Sequence, residues 1–178
     1  IGGESTRPGA IPLSADEALS RVLPILLEAV KLGVPVSIDT YKPRVMQAAL
    51  DLGVDIINDV WALRWPAADS ASSPLTGFDV VAAHADGGVC LMHMHREPLS
   101  MQVMPIDGEV TTQVVEFLRG VTTDLCALGV DPSRIVVDPG IGFGKTVAQN
   151  LELLARQRDL LECGYPLVEG GYRRSSLA

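Results

Sequence analysis

The chain has 178 residues, 47% of them apolar, which suits one domain with a sizeable core and excludes disorder as a description of the whole. Fourteen basic against 22 acidic residues give a net charge of −8, which argues against a general affinity for nucleic acid or anionic membranes. No apolar run approaches the roughly 18–20 residues that span a bilayer. Three widely spaced cysteines (Cys90, Cys126, Cys163) fit a reducing compartment, so the expectation is a cytoplasmic protein.

In chain order, a strand remnant at Ile1-Gly2-Gly3 leads into Glu4-Ser5-Thr6-Arg7-Pro8-Gly9. Arg beside a hydroxyl offers good donors to an oxyanion, phosphate above all, although taken alone an exposed loop explains these residues as well. Ser14 with Glu17 makes a capping box, opening a helical pattern that runs to about Lys31. Pro24 inside it should kink that helix or displace its start. A strand near 34–38 ends at Asp39, and Pro43 suits the first turn of a helix over about 43–52. A strand near 55–60 carries Asn58-Asp59; residues 62–76 lack a period and read as a loop, and 77–87 as a short helix. A strand near 89–94 carries His93, with His95 beyond it, and an amphipathic helix covers roughly 109–128. A strand over about 134–138 ends at Asp138, and Thr146 with Gln149 caps a helix over about 147–162. A last strand, near 166–169, leads to Arg173-Arg174.

Leu-Gly-Val recurs at Leu32–Val34, Leu52–Val54 and Leu128–Val130, each time after a helical pattern and before an apolar run. Gly there suits the left-handed position that ends a helix. Helix, Gly, strand, repeated, predicts a parallel α/β fold. Polar residues then gather at consecutive strand ends, on the rim that holds the active site in β/α barrels and doubly wound sheets.

Asp138-Pro139-Gly140-Ile141-Gly142-Phe143-Gly144-Lys145-Thr146 is the densest signal, a glycine-rich turn between a strand and a helix N-terminus. It departs from a Walker A loop at Pro139, and from the dinucleotide fingerprint at Lys145. His93-Met94-His95 places two imidazoles on one side of a strand. Such a pair can ligate a metal, but apart from Asp138 no suitable partner stands at the other strand ends. If the histidines face away from the barrel mouth, Met92 and Met94 face into it, and soft Met side chains suit a flat heteroaromatic ligand.

Together IGGESTRPGA (Ile1–Ala10), SIDTY (Ser37–Tyr41), IINDV (Ile56–Val60), CLMH (Cys90–His93) and VDPGIGFGKT (Val137–Thr146) resemble the dihydropteroate synthase family, in order and along essentially the whole chain. The resemblance implies a (β/α)8 barrel of the TIM type, incomplete in this chain, with residues 1–178 as part of one pterin-binding domain. The family's first strand would lie before Ile1 and its last after Ala178, leaving the pterin pocket mostly present and the diphosphate site incomplete. The implied reaction belongs to folate synthesis: a dihydropterin methyl diphosphate loses diphosphate to the amine of p-aminobenzoate. Mg²⁺ is implied as a companion of the diphosphate, with no metal ligand expected from this chain. The implied partners are these small molecules, with neither nucleic acid nor membrane, and a homodimer is left open.

By the same resemblance, Asp138 would accept the paired N–H donors of the pterin, and Asp39 and Asn58 would complete the ring's hydrogen bonds. Met92 and Phe143 would lie near the ring face. Thr6 and Arg7 would contact substrate near the diphosphate and p-aminobenzoate. Tyr172-Arg173-Arg174-Ser175 stands where the family has Ser-Arg-Lys-Ser, so Arg174 would replace a substrate-binding Lys. Asp39, Asp138 and Arg174 are the residues expected to carry the chemistry. Alternatives are a pterin-binding methyltransferase domain, which needs no Thr-Arg at a diphosphate site, and a non-catalytic pterin-binding fragment.

Overall fold

The computed structural model describes residues 1–6, 10–66, 75–96, 101 and 103–170. Four short parallel strands, β1 (Ser37–Asp39), β2 (Ile56–Asp59), β3 (Gly88–Met92) and β4 (Ile135–Asp138), pair in the order β1-β2-β3-β4. Isolated parallel bridges extend the sheet at both edges, Gly2 to Asp39 and Leu167 to Val137. Strand order that follows chain order keeps every crossover running the same way around the sheet. It therefore puts the helices on one face, as in a β/α barrel, whereas a doubly wound sheet reverses direction and covers both.

The helices are α1 (Ala15–Ala29), α2 (Pro43–Asp51), α3 (Gly77–Ala83), α4 (Val110–Ala127), α5 (Val147–Ala155) and the short α6 (Gln157–Leu160). Capping boxes start three of them, at Ser14–Glu17, Thr76–Asp79 and Thr146–Gln149, each satisfying backbone donors that a helix start leaves free. Gly33, Gly53 and Gly129 adopt the left-handed φ expected of the recurring Leu-Gly-Val turns.

The helix α1 starts at Ala15, where the Ser14 capping box places it, so of the two effects expected of Pro24 displacement of the start does not occur, and Pro24 lies inside the helix on its exposed face. Two expectations are corrected. The helix expected over 147–162 breaks at Arg156, whose backbone leaves helical geometry while its side chain is drawn to Glu109, Glu152 and Asp159. The first strand begins at Ser37 rather than 34, because the Val36 N–H is taken by the Asp55 carboxylate at 2.7 Å.

Alternation along the strands divides the sheet into two faces. Ile38, Ile57, Val89, Leu91, Ile135 and Val137 point outward and are completely buried beneath helices that supply Leu26, Met46, Val80, Val114 and Leu153. The opposite, inward face carries Ser37, Asp39, Ile56, Asn58, Gly88, Cys90, Met92, Val136 and Asp138, and several of these remain partly exposed.

Candidate functional site

At the carboxyl ends of the strands the register sets Asp39 beside Asn58 and Met92 beside Asp138. The Asn58 side chain hydrogen-bonds the Asp39 carboxylate, and burial nevertheless pushes the Asp39 pKa above the usual carboxylate range. Asp138 is more enclosed. Burial raises its pKa to about 6, opposed by N–H donation from Gly140 at 2.7 Å and from Gly170, and by the nearby Lys145 charge. At neutral pH Asp138 is therefore mainly ionised, and it is held in place by backbone donors rather than by a formal ion pair.

The loop after β4 is shaped by glycine. Gly140, Gly142 and Gly144 all have positive φ, and a Cβ at Gly140 would lie 2.0 Å from the His93 carbonyl oxygen. Only glycine allows this approach, which folds the loop back onto the end of β3. There Phe143 joins Met92, Met94, Met101 and Tyr41 in a second apolar cluster, flanked by Trp61 and Trp65. Asn150 of α5 receives the Gly142 N–H at 2.9 Å and fixes the far side of the loop.

His93 follows β3 on the outward side. It is buried edge-to-face against Phe117 of α4, ring centroids 4.9 Å apart, and burial holds its pKa well below the usual imidazole range. His95 is only half-buried, and among the described residues no group of three His, Cys, Asp or Glu could hold a metal ion. Met92 and Met94 are the side chains that reach the inward cluster.

Thr6 is half-buried beyond the first bridge, while Arg7 and Arg174 lie outside the described residues. Three further charged groups escape a reading of the sequence. Asp59 points outward and is fully buried, accepting the N–H groups of Trp61 at 2.8 Å and Leu63 at 2.7 Å. Strand alternation was the available signal, since Asn58 and Asp59 cannot face the same way. Lys42 is buried in an ion pair with Glu4, its ammonium 4.1 Å from the Tyr41 ring centre. Lys145 is buried too, and burial pushes its pKa down to about 7.

Polar side chains on the inward rim of a sequential parallel arc are the arrangement of a β/α-barrel enzyme. The pterin binding enzyme family matches residues 1–177, and the chain belongs to that family. It is 42% identical to the dihydropteroate synthase of Neisseria meningitidis serogroup C, over 99% of this chain and 60% of that protein. Among solved structures it resembles Burkholderia cenocepacia dihydropteroate synthase complexed with 7,8-dihydropteroate (43% identity, TM-score 0.84, 99% of this chain and 62% of that one). The Xanthomonas albilineans dihydropteroate synthase with 4-aminobenzoic acid is similar at 40% identity, TM-score 0.85, over 99% of this chain and 59% of that one. The chain thus spans about 60% of the length of the curated relatives it matches.

Proposed function

We propose that this chain forms the pterin-binding part of a dihydropteroate synthase, which joins a dihydropterin methyl diphosphate to p-aminobenzoate. The observation that carries this reading is the inward set Asp39, Asn58 and Asp138 at the ends of β1, β2 and β4, with Met92 at the end of β3 and Phe143 beside it. The ligands named for the Burkholderia and Xanthomonas relatives, a dihydropteroate and an aminobenzoate, support the choice of substrates.

In the proposed reaction the bond between the pterin methylene carbon and the diphosphate oxygen breaks, and its electron pair leaves with the diphosphate. The amine nitrogen then bonds to the methylene carbon and gives up a proton. Asp138 accepts the paired N–H donors of the amino-pyrimidinone edge, and Asp39 with Asn58 completes the ring's hydrogen bonds. Both carboxylates favour the positive charge that develops on the pterin as the leaving group departs. Thr6, Arg7 and Arg174 are proposed to face the diphosphate and aminobenzoate side.

Mg²⁺ is proposed only as a companion of the diphosphate. Among the described residues no group of three His, Cys, Asp or Glu converges on a cation site, and Glu4 is already paired with Lys42.

The test is formation of dihydropteroate from the two substrates by the full-length protein. Turnover that Asp138→Ala abolishes is the expected result. No product from a protein that folds and carries its complete barrel would overturn the reading.

A further inference from the structure

Lys145 is a buried cation near the rim, 3% exposed, and nothing in the proposed reaction uses it. Its ammonium donates to three backbone carbonyls: Gly140 at 2.8 Å, Phe143 at 3.1 Å and His93 at 3.2 Å. An ammonium has three donors and no acceptor, so this set satisfies it completely. Two of the carbonyls belong to the glycine loop and the third to the end of β3, so one side chain ties the two segments together.

Backbone hydrogen bonds run along the same seam. The His93 N–H reaches the Asp138 carbonyl at 2.9 Å, and the His95 N–H reaches that of Phe143 at 3.4 Å. The Gly140 carbonyl also accepts the Phe143 N–H at 3.0 Å, so the ammonium adds a further donor to carbonyls that already shape the loop. Lysine supplies that donor on a long stem without a second polar group. Such a cation is expensive to bury, and a loop needing only rigidity could use an apolar side chain instead.

We propose that Lys145 is a positioning residue for the pterin site: its ammonium holds the loop after β4 against β3, setting the Asp138 carboxylate and the Phe143 ring where the ligand meets them. The inference rests on the pterin-binding reading above. Lys145 also acts on Asp138 through charge. The charged groups that act on Asp138 are Lys145 and Glu169, while the Cys90 thiol on the neighbouring strand is held neutral, partly by Asp138 itself. The groups near Lys145 are Asp138, His93 and His95. Removing the cation therefore favours the protonated form of Asp138, and restoring a cation of the wrong shape does not.

The experiment is calorimetric titration of the full-length protein with a hydroxymethyl dihydropterin across the pH range 5–8, comparing wild type, Lys145→Met and Lys145→Arg (about the range in which Asp138 would titrate). Lys145→Met should bind up to about 100-fold more weakly, as expected of a misplacement near 1 Å, with its pH midpoint moved upward. Lys145→Arg, planar and too wide for three converging carbonyls, should also bind more weakly but keep the wild-type midpoint. A Met variant with wild-type affinity or midpoint, or an Arg variant with a shifted midpoint, overturns the proposal. If circular dichroism shows the Met variant unfolded, Lys145→Gln takes its place. That variant keeps N–H donors without charge, and an unmoved midpoint overturns the proposal equally. Failure of the wild-type protein to bind pterin would instead overturn the pterin-binding reading, so the two failures are distinct.

Discussion

The two faces of the sheet have been built by opposite rules. Outward residues are aliphatic and fully buried, with Asp59 as the exception, and that carboxylate is consumed by a turn. Inward residues are mixed in size and polarity, and Ile56 on that face is still 37% exposed. Ala62 and Leu63, both at positive φ, lie in the turn that Asp59 ties down, so even the polar exception on the outward side serves geometry. The outward face holds the chain together, and the inward face is free to be chosen for chemistry.

If that division holds, truncation outward should cost stability and leave recognition alone. Leu91→Ala is expected to lower unfolding free energy by about 2–5 kcal/mol, measured by denaturant titration, while pterin affinity of the folded protein stays within a few-fold. A large loss of affinity with little loss of stability would break the comparison.

The inward counterpart is Asp138→Ala. Losing a charged, paired acceptor should cost about 1.5–3 kcal/mol of binding, or roughly 10- to 150-fold in pterin affinity. Calorimetry reads it directly, and unchanged binding would remove Asp138 from the site.

Acid should separate the faces further. Burial raises Asp59 to about 7 and Asp138 to about 6, so their stabilising contribution is complete below the ordinary carboxylate pKa near 3.8 and is lost as pH rises through 6–7. In the proposed site the pterin is held by ionised Asp138, so its binding should weaken by up to about tenfold per pH unit below 6. Acidification from pH 7 to 5 therefore raises the contribution of these two acids to stability while weakening the site. Asp59→Asn should flatten the stability profile and leave the binding profile in place.

The smallest effect concerns Cys90, inward but below the rim. Burial, with the neighbouring carboxylates, pushes its thiol up to about 12. In the native protein iodoacetamide should label Cys126 and spare Cys90, as read by peptide mass spectrometry. Rapid labelling of Cys90 would show that water reaches deeper into the inward face than the burial of its neighbours implies.

Much of this division can be read from residue order. Capping boxes at Ser14 and Thr146 and the glycines that follow Leu32, Leu52 and Leu128 mark the helix ends, because local hydrogen bonding and backbone sterics decide them. The positions of Asp39, Asn58 and Asp138 follow from strand ends and alternation. What stays hidden depends on contacts between distant segments. A lysine reads as solvated until Lys42 is seen to meet Glu4, or Lys145 the carbonyl of His93. The break at Arg156 likewise coincides with its reach to Glu109, 47 residues away.

The strand order has a kinetic consequence. Each pairing joins a strand to the next one in the chain, Ser37 with Ile56, Ile56 with Gly88 and Val89 with Ile135, so closing any of them never waits for the far end. During synthesis the arc can grow by adding one unit at a time, each docking on the one before it. Asp39 and Asn58 would come together early, whereas Asp138 arrives only with β4. In that order the first strands of a nascent chain would pair before the Asp138 end of the proposed pterin site exists.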